Sequence, residues 1–302
     1  MANYSFKVGN APCSWGTIEN TAGTRLTHTQ MLNELVEAGY TGTELGDWGF
    51  MPTEPEDLRE ELEARNLDLI GSWVTVRLYD ESYHLEGAAR AVQVAKLLAE
   101  VGGPQATINI GDDHSTIHAR HYNTGRISKE HFLSEQGWKA YIKGVESVAK
   151  MVKNETGLRS CLHPHGSTYV ETPEEIDRFL SLSDPDLVGI VFDTGHYMLG
   201  GGDPVEGIKR YQDRIWLMHF KDFNPQVVEE AKRHNWNYQD MIGAGVFSEL
   251  GKGAVDFPAV LEAMQEINYQ GWIVVEQDVL PGMGSPFESA KRNREYLASI
   301  GL

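Results

Sequence analysis

Four short stretches of the chain end an apolar run in side chains that can hold a metal. They are residues 158–165 (LRSCLHPH), 187–196 (LVGIVFDTGH), 214–222 (RIWLMHFKD) and 271–278 (GWIVVEQD). In each, strand-forming residues lead directly into His, Asp or Glu. Nitrogen and oxygen donors without a thiolate suit Mn²⁺, Co²⁺, Fe²⁺, Zn²⁺ or Mg²⁺. Delivering ligands from the C-terminal ends of several strands is how a (β/α)8 barrel builds a site.

The individual residues carry different chemistry. Alternation along a strand sends His163 and His165 to the same side; two hydrogen-bonded loop histidines are the bland alternative. Asp193 follows the apolar run VGIVF, a poor place for a carboxylate unless a cation offsets it. His196, three residues on, can reach the same centre or a substrate. Otherwise Asp193 caps the next turn. His219 ends another run, and Lys221 points the same way two residues later. A lysine there can polarise a carbonyl or, with its pKa lowered, act as a base. A surface Lys221–Asp222 pair is the competing reading. Glu276 extends an apolar run, so it is either a ligand or a costly unpaired carboxylate. Glu44 ends its own run as a base, a substrate contact or a structural ion-pair partner. Cys13 and Trp15 follow the first apolar segment, where an aromatic ring can wall a sugar-sized pocket or pack into the core. Trp73, Asn109 and His114 complete the set, as further substrate contacts or as structural residues.

The elements that must position these residues alternate from end to end. Strands are predicted at 6–11, 41–45, 67–76, 105–110, 158–163, 187–193, 214–220 and 271–275. Helices are predicted at 29–38, 54–65, 84–101, 136–156, 173–182 and 255–267, with a short one after Pro204 and a last one at 286–299. Gly39 is a natural helix stop, Pro55 a start and Thr172 an N-cap. Strict alternation means parallel pairing, and no Gly-rich phosphate loop follows any strand, which disfavours a doubly wound sheet. The expectation is one (β/α)8 barrel domain over residues 1–302. Two long polar excursions, near 111–134 and 222–253, are candidates for a lid or substrate loops.

Composition narrows the function. The chain has 302 residues, 41% of them hydrophobic, and a formal net charge of −18. Such a surface repels phosphate backbones and anionic membranes. No stretch reaches the roughly 20 apolar residues needed to span a bilayer. Two cysteines outside any CxxC pair fit a reducing compartment, and the N-terminus lacks a signal-peptide pattern, so a cytoplasmic protein is expected. The expected partner is a small polyol or keto-sugar, not nucleic acid or membrane; a homo-oligomer is compatible with the sequence.

Residues 11–16 (APCSWG), 42–46 (GTELG), 192–196 (FDTGH), the His219 segment and 251–257 (GKGAVDF) together resemble the xylose-isomerase-like barrel superfamily of isomerases, epimerases and metal-dependent lyases. The likeness runs over nearly the whole chain and is strongest to the inosose dehydratase group. It implies a divalent metal held by His163, Asp193, His219 and Glu276. The superfamily commonly has Glu at the first of these; His there is similar to the inosose dehydratases. Ligand charge then falls from about −3 to about −2, which favours Mn²⁺, Co²⁺ or Fe²⁺ over Mg²⁺. The implied reaction starts with loss of a proton α to a carbonyl, taken by Glu44, His165, His196 or Lys221. Loss of a β-hydroxyl makes the enzyme a hydro-lyase on a keto-inositol; return of the proton makes it an isomerase or epimerase; β-elimination from a 3-keto-glycoside is a related lyase option. A non-catalytic sugar-binding barrel is the contrasting class.

Overall fold

The computed structural model describes residues 4–16, 26–114 and 116–302. Eight parallel strands close into a barrel. They are β1 (Lys7–Asn10), β2 (Gly42–Glu44), β3 (Asp68–Val76), β4 (Thr107–Asp112), β5 (Arg159–Leu162), β6 (Val188–Asp193), β7 (Ile215–Phe220) and β8 (Trp272–Val275), each paired with its sequence neighbours and β1 with β8. Helices follow the strands, beginning with His28–Ala38, Pro55–Glu63 and His84–Val101. The expected end signals act as read. Gly39 ends the first helix at φ 95°, Pro55 opens the second, and Thr172 caps Pro173–Leu182 in a capping box with Glu175.

Two apolar layers follow from the period-2 alternation of the strands. One lies between strands and helices. The other fills the barrel interior and contains Ala11, Ile70, Cys161, Val191, Leu217 and Val274. Counting two residues on from four of these reaches His163, Asp193, His219 and Glu276. The side chains that fill the barrel and those that sit at its mouth are therefore one alternating series. Register staggers them around the mouth: Asp193 is level with His219, while His219 is level with Val274, two residues before Glu276.

The two polar excursions carry secondary structure of their own. The first carries a helix at His118–Asn123. Its Arg120 is fully buried and forms a two-pronged pair with Glu175 at 2.7 and 2.9 Å. This pair ties the excursion to the connection after β5. Removing one member of a buried pair leaves the other charge without compensation, which typically costs about 3–5 kcal/mol. Arg120→Ala is therefore expected to lower the unfolding free energy by about that amount, read from urea denaturation. A loss below about 1 kcal/mol would show that the pair adds little.

The second excursion holds an antiparallel ribbon of Asp222–Phe223 with Phe247–Ser248 and the helices Pro225–His234 and Tyr238–Gly243. Asp222 is not on the surface beside Lys221. Its carboxylate is buried and accepts the N–H groups of Phe223, Gly251, Gly253 and Val255 at 2.8–3.0 Å. The segment 251–255 wraps this carboxylate, with Gly251 at φ 81° making the turn.

Candidate metal centre and active site

His163, Asp193, His219 and Glu276 converge at the C-terminal mouth, with one ligand atom from each within 4.8 Å of the others. Their hydrogen bonds identify those atoms. His163 Nδ1–H donates to the Pro164 carbonyl at 3.0 Å, which leaves its Nε2 with a lone pair. That Nε2 is 3.3 Å from His219 Nδ1 and 3.9 Å from Asp193 Oδ2. His219 Nδ1 is 3.2 Å from Glu276 Oε1. Asp193 Oδ1 accepts the His196 N–H at 2.8 Å and caps the helix Thr194–Leu199. Its Oδ2 is buried with no hydrogen-bond partner. A buried carboxylate oxygen without a donor is expensive, and a cation removes that cost. Two imidazoles and two carboxylates converging on one point fit a divalent metal.

The charges agree. Burial, with His219 close by, pushes His163 down to about 3. Burial lifts Asp193 to about 6 against the pull of Lys221. At His219 burial is outweighed by Glu276 and Glu44, which push it up to about 10. A proton on Nδ1 and a metal compete for the same lone pair. In the metal-free protein the His219 proton contributes stability that is complete below pH about 6.5, the unfolded value, and is lost as pH rises through about 10. Metal binding must expel it. Between pH 7 and 9, calorimetric titration with Mn²⁺ in buffers of different ionisation heat is expected to show about one proton released per metal and about tenfold tighter binding per pH unit. Affinity independent of pH would contradict this.

Lys221 is buried beside the cluster. Its ammonium lies 3.0 Å from Glu276 Oε2 and 3.3 Å from Asp278 Oδ2, and 4.7 Å from the Phe247 ring centre. Burial alone would lower its pKa, but Asp278 and Glu276 raise it well above the usual lysine value. Lys221 is therefore held as a cation, and its pKa is raised, not lowered as the base reading requires. The close approach of the FDTGH turn requires Gly195: a Cβ there would lie 2.8 Å from Lys221 Cγ and 2.9 Å from its carbonyl oxygen.

The pocket above these groups encloses about 650 Å³ including its open mouth, and its walls include Pro12, Cys13, Glu44, Asp47, Trp73, His114, His165, Lys221 and Asp278. Cys13 and Trp73 thus reach the pocket. The Cys13 thiol is pushed up by burial and by Glu276 and Asp278. The Trp73 indole donates to Thr75 at 2.8 Å and sets its ring 5.3 Å from both His163 and His165. His165 also lines the pocket. Its Nδ1–H donates to the Gly166 carbonyl at 2.7 Å, and its Nε2 is 3.4 Å from the Tyr238 hydroxyl.

Three expected residues lie elsewhere. Trp15 is 2% exposed in the main core, and its indole N–H donates to Glu34 at 2.8 Å. The tight 3₁₀ turn Pro12–Trp15 separates it from Cys13. Asn109 lies under the pocket floor, bonded to Glu44 at 2.7 Å. His196 lies behind the wall against Phe247. Its Nδ1 accepts the Gly166 N–H at 3.1 Å, and burial with the neighbouring His165 and Lys221 keeps it well below the usual histidine pKa. Its Nε2 is 3.4 Å from Lys221 Nζ, so both ring nitrogens face protein groups.

Asp278 and Tyr238 were not singled out from the sequence. The spacing His219-x-Lys221 recurs as Glu276-x-Asp278, and that repeat was the available signal for Asp278. Tyr238 has none, because it arrives from within the second excursion.

The family described as xylose isomerase-like TIM barrel matches residues 32–300. An inosose dehydratase of Lacticaseibacillus casei (strain BL23) is 32% identical over 298 residues, covering 98% of this chain and 97% of the relative. An inosose dehydratase of Geobacillus kaustophilus (strain HTA426) is 32% identical over 297 residues, covering 97% and 94%. Among solved structures, the IolI protein with a bound zinc atom superposes with a TM-score of 0.72 at 16% identity, covering 98% of each chain. No helix among the described residues is long and apolar enough to cross a membrane.

Proposed function

From the premise that the chain belongs to the xylose isomerase-like TIM barrel family, we propose that it is a metal-dependent hydro-lyase that dehydrates a keto-inositol. One observation carries this reading: four lone-pair donors converge at the pocket floor beside the buried Lys221 cation. Relatives named inosose dehydratase, aligned over nearly full length, support the substrate class. So does the lining, where Glu44, Asp47, Glu276 and Asp278 outweigh Lys221. That balance repels a phosphate ester and suits an uncharged polyol ketone. His163, Asp193, His219 and Glu276 are the residues that hold the metal. With only two carboxylates among them, Mn²⁺ or Co²⁺ fits best, then Fe²⁺ or Zn²⁺, and Mg²⁺ least. Two free cysteines fit a cytoplasmic enzyme.

When bound, the ion supplies Lewis-acid polarisation of the ketone and acidifies the adjacent C–H. Glu44 takes the α-proton. Its Oε1 is held by the N–H groups of Asn109 and His219 at 2.7 and 3.1 Å, and its Oε2 accepts none among the described residues. The C–H electron pair becomes the C=C bond, and the β C–O bond breaks. Lys221 Nζ–H protonates the departing hydroxide, so water leaves. The proton on Glu44 then returns to Lys221 before the next turnover. Cys13, Pro12 and Trp73 give the pocket an apolar wall.

Incubation of Mn²⁺-loaded protein with scyllo-inosose tests this. The expected product has lost one water and absorbs in the ultraviolet as a dione. A product of unchanged mass makes the protein an isomerase or epimerase instead and overturns dehydration.

A further inference from the structure

The hydrogen bonds beneath the pocket converge on one oxygen of Glu44. Thr107 Oγ1–H donates to Asn109 Oδ1 at 2.9 Å, which turns the amide so that Nδ2–H donates to Glu44 Oε1 at 2.7 Å. An ionised carboxylate only accepts. The 3.1 Å contact from His219 Nε2 to the same oxygen therefore puts the ring hydrogen on Nε2. The lone pair of the neutral ring is then on Nδ1, the atom facing His163 Nε2 and Glu276 Oε1. The chain passes from β4 through β2 to β7, and all four residues are buried. Asn109 lines no part of the pocket, and Thr107 lies deeper in the barrel than Asn109.

We infer that Thr107 and Asn109 are positioning residues for the metal centre. They aim Glu44, and Glu44 fixes the tautomer and ring orientation that present His219 Nδ1 to a divalent cation. A carboxylate behind a ligating imidazole orients the ring and raises its basicity. Here the carboxylate is itself set by an amide, and the amide by a hydroxyl. Without the Thr107 hydroxyl the Asn109 amide can turn over and point its oxygen at Glu44, which repels it. The inference rests on reading His163, Asp193, His219 and Glu276 as ligands.

Co²⁺ alone is the probe, titrated into full-length wild type, Asn109→Leu and Thr107→Val, with affinity from equilibrium dialysis and the visible absorption bands recorded. Asn109→Leu is expected to bind Co²⁺ about 10–100-fold more weakly, with shifted bands. Thr107→Val should move both readouts the same way by less. A residue that only packs would lower Tm and leave affinity and bands at wild-type values; that result overturns the inference. If Asn109→Leu does not fold, the near-isosteric Thr107→Val decides it alone by the same two readouts. Wild type that binds no Co²⁺ removes the ligand reading and this inference with it. That outcome is distinct from failed dehydration by a protein that binds Co²⁺ tightly.

Discussion

Asp193→Asn is expected to lose the metal and turnover together while the barrel still folds. Asp193 does two separable jobs. Its Oδ1 caps the helix Thr194–Leu199 through the His196 N–H, and its Oδ2 is the buried oxygen with no donor. Asparagine is as good an N-cap as aspartate, so the cap survives. Its amide nitrogen would replace Oδ2, 3.9 Å from the lone pair on His163 Nε2. That swap removes a negative charge and closes the gap with a hydrogen bond. Turnover should fall by more than the about 10²–10⁴-fold ascribed to a single acid–base group, because losing the metal would remove the Lewis acid on which the proposed reaction depends. Elemental analysis should find little Mn²⁺ or Co²⁺, with circular dichroism unchanged. A variant that keeps its metal and near-normal turnover removes Asp193 from the centre. Asp193→Ala is the less informative change, since it also deletes a cap worth about 1 kcal/mol.

Lys221→Met should keep the metal but lose about 10²–10⁴-fold in turnover. In the proposed reaction the ammonium donates the proton, and methionine fills much of its volume without a charge. The sequence alone separates Lys221 from the metal ligands. The structure couples them, because Lys221 also holds Glu276 Oε2 at 3.0 Å and Asp278 Oδ2 at 3.3 Å. Two carboxylates then lose their buried cation, so stability should fall by about 3–5 kcal/mol in the metal-free protein. Bound Mn²⁺ should restore part of that loss by neutralising Glu276. Lys221→Met/Asp278→Asn removes one of the two uncompensated buried charges and should recover stability without recovering turnover. Near-normal turnover in Lys221→Met would leave Lys221 as a buried counter-ion and pass the donor role to another group.

What the sequence by itself determined is local. An apolar run ending in His, Asp or Glu names a strand and its polar tip, because burial of a carboxylate without a partner is costly. Period-2 alternation assigns the tip to the side of the barrel interior, and regular strand–helix alternation gives the parallel barrel. Gly39, Pro55 and Thr172 mark helix ends because their effects act within one turn. Tertiary structure alone decided which of these side chains meet. Asn109 and Glu44 are 65 residues apart, and Glu44 and His219 are 175 apart. Strand spacing does not encode such pairings; barrel closure and register do. The same holds for Trp15, sent to the core by a 3₁₀ turn, and for His196, whose lone pair is taken by Gly166 from another connection. It holds too for the state of Lys221. The sequence places a lysine near a metal-type residue. Only the fold surrounds it with Glu276 and Asp278 and so makes it a cation, because the electrostatics of a buried group depend on neighbours a few ångströms away in space and far away in chain.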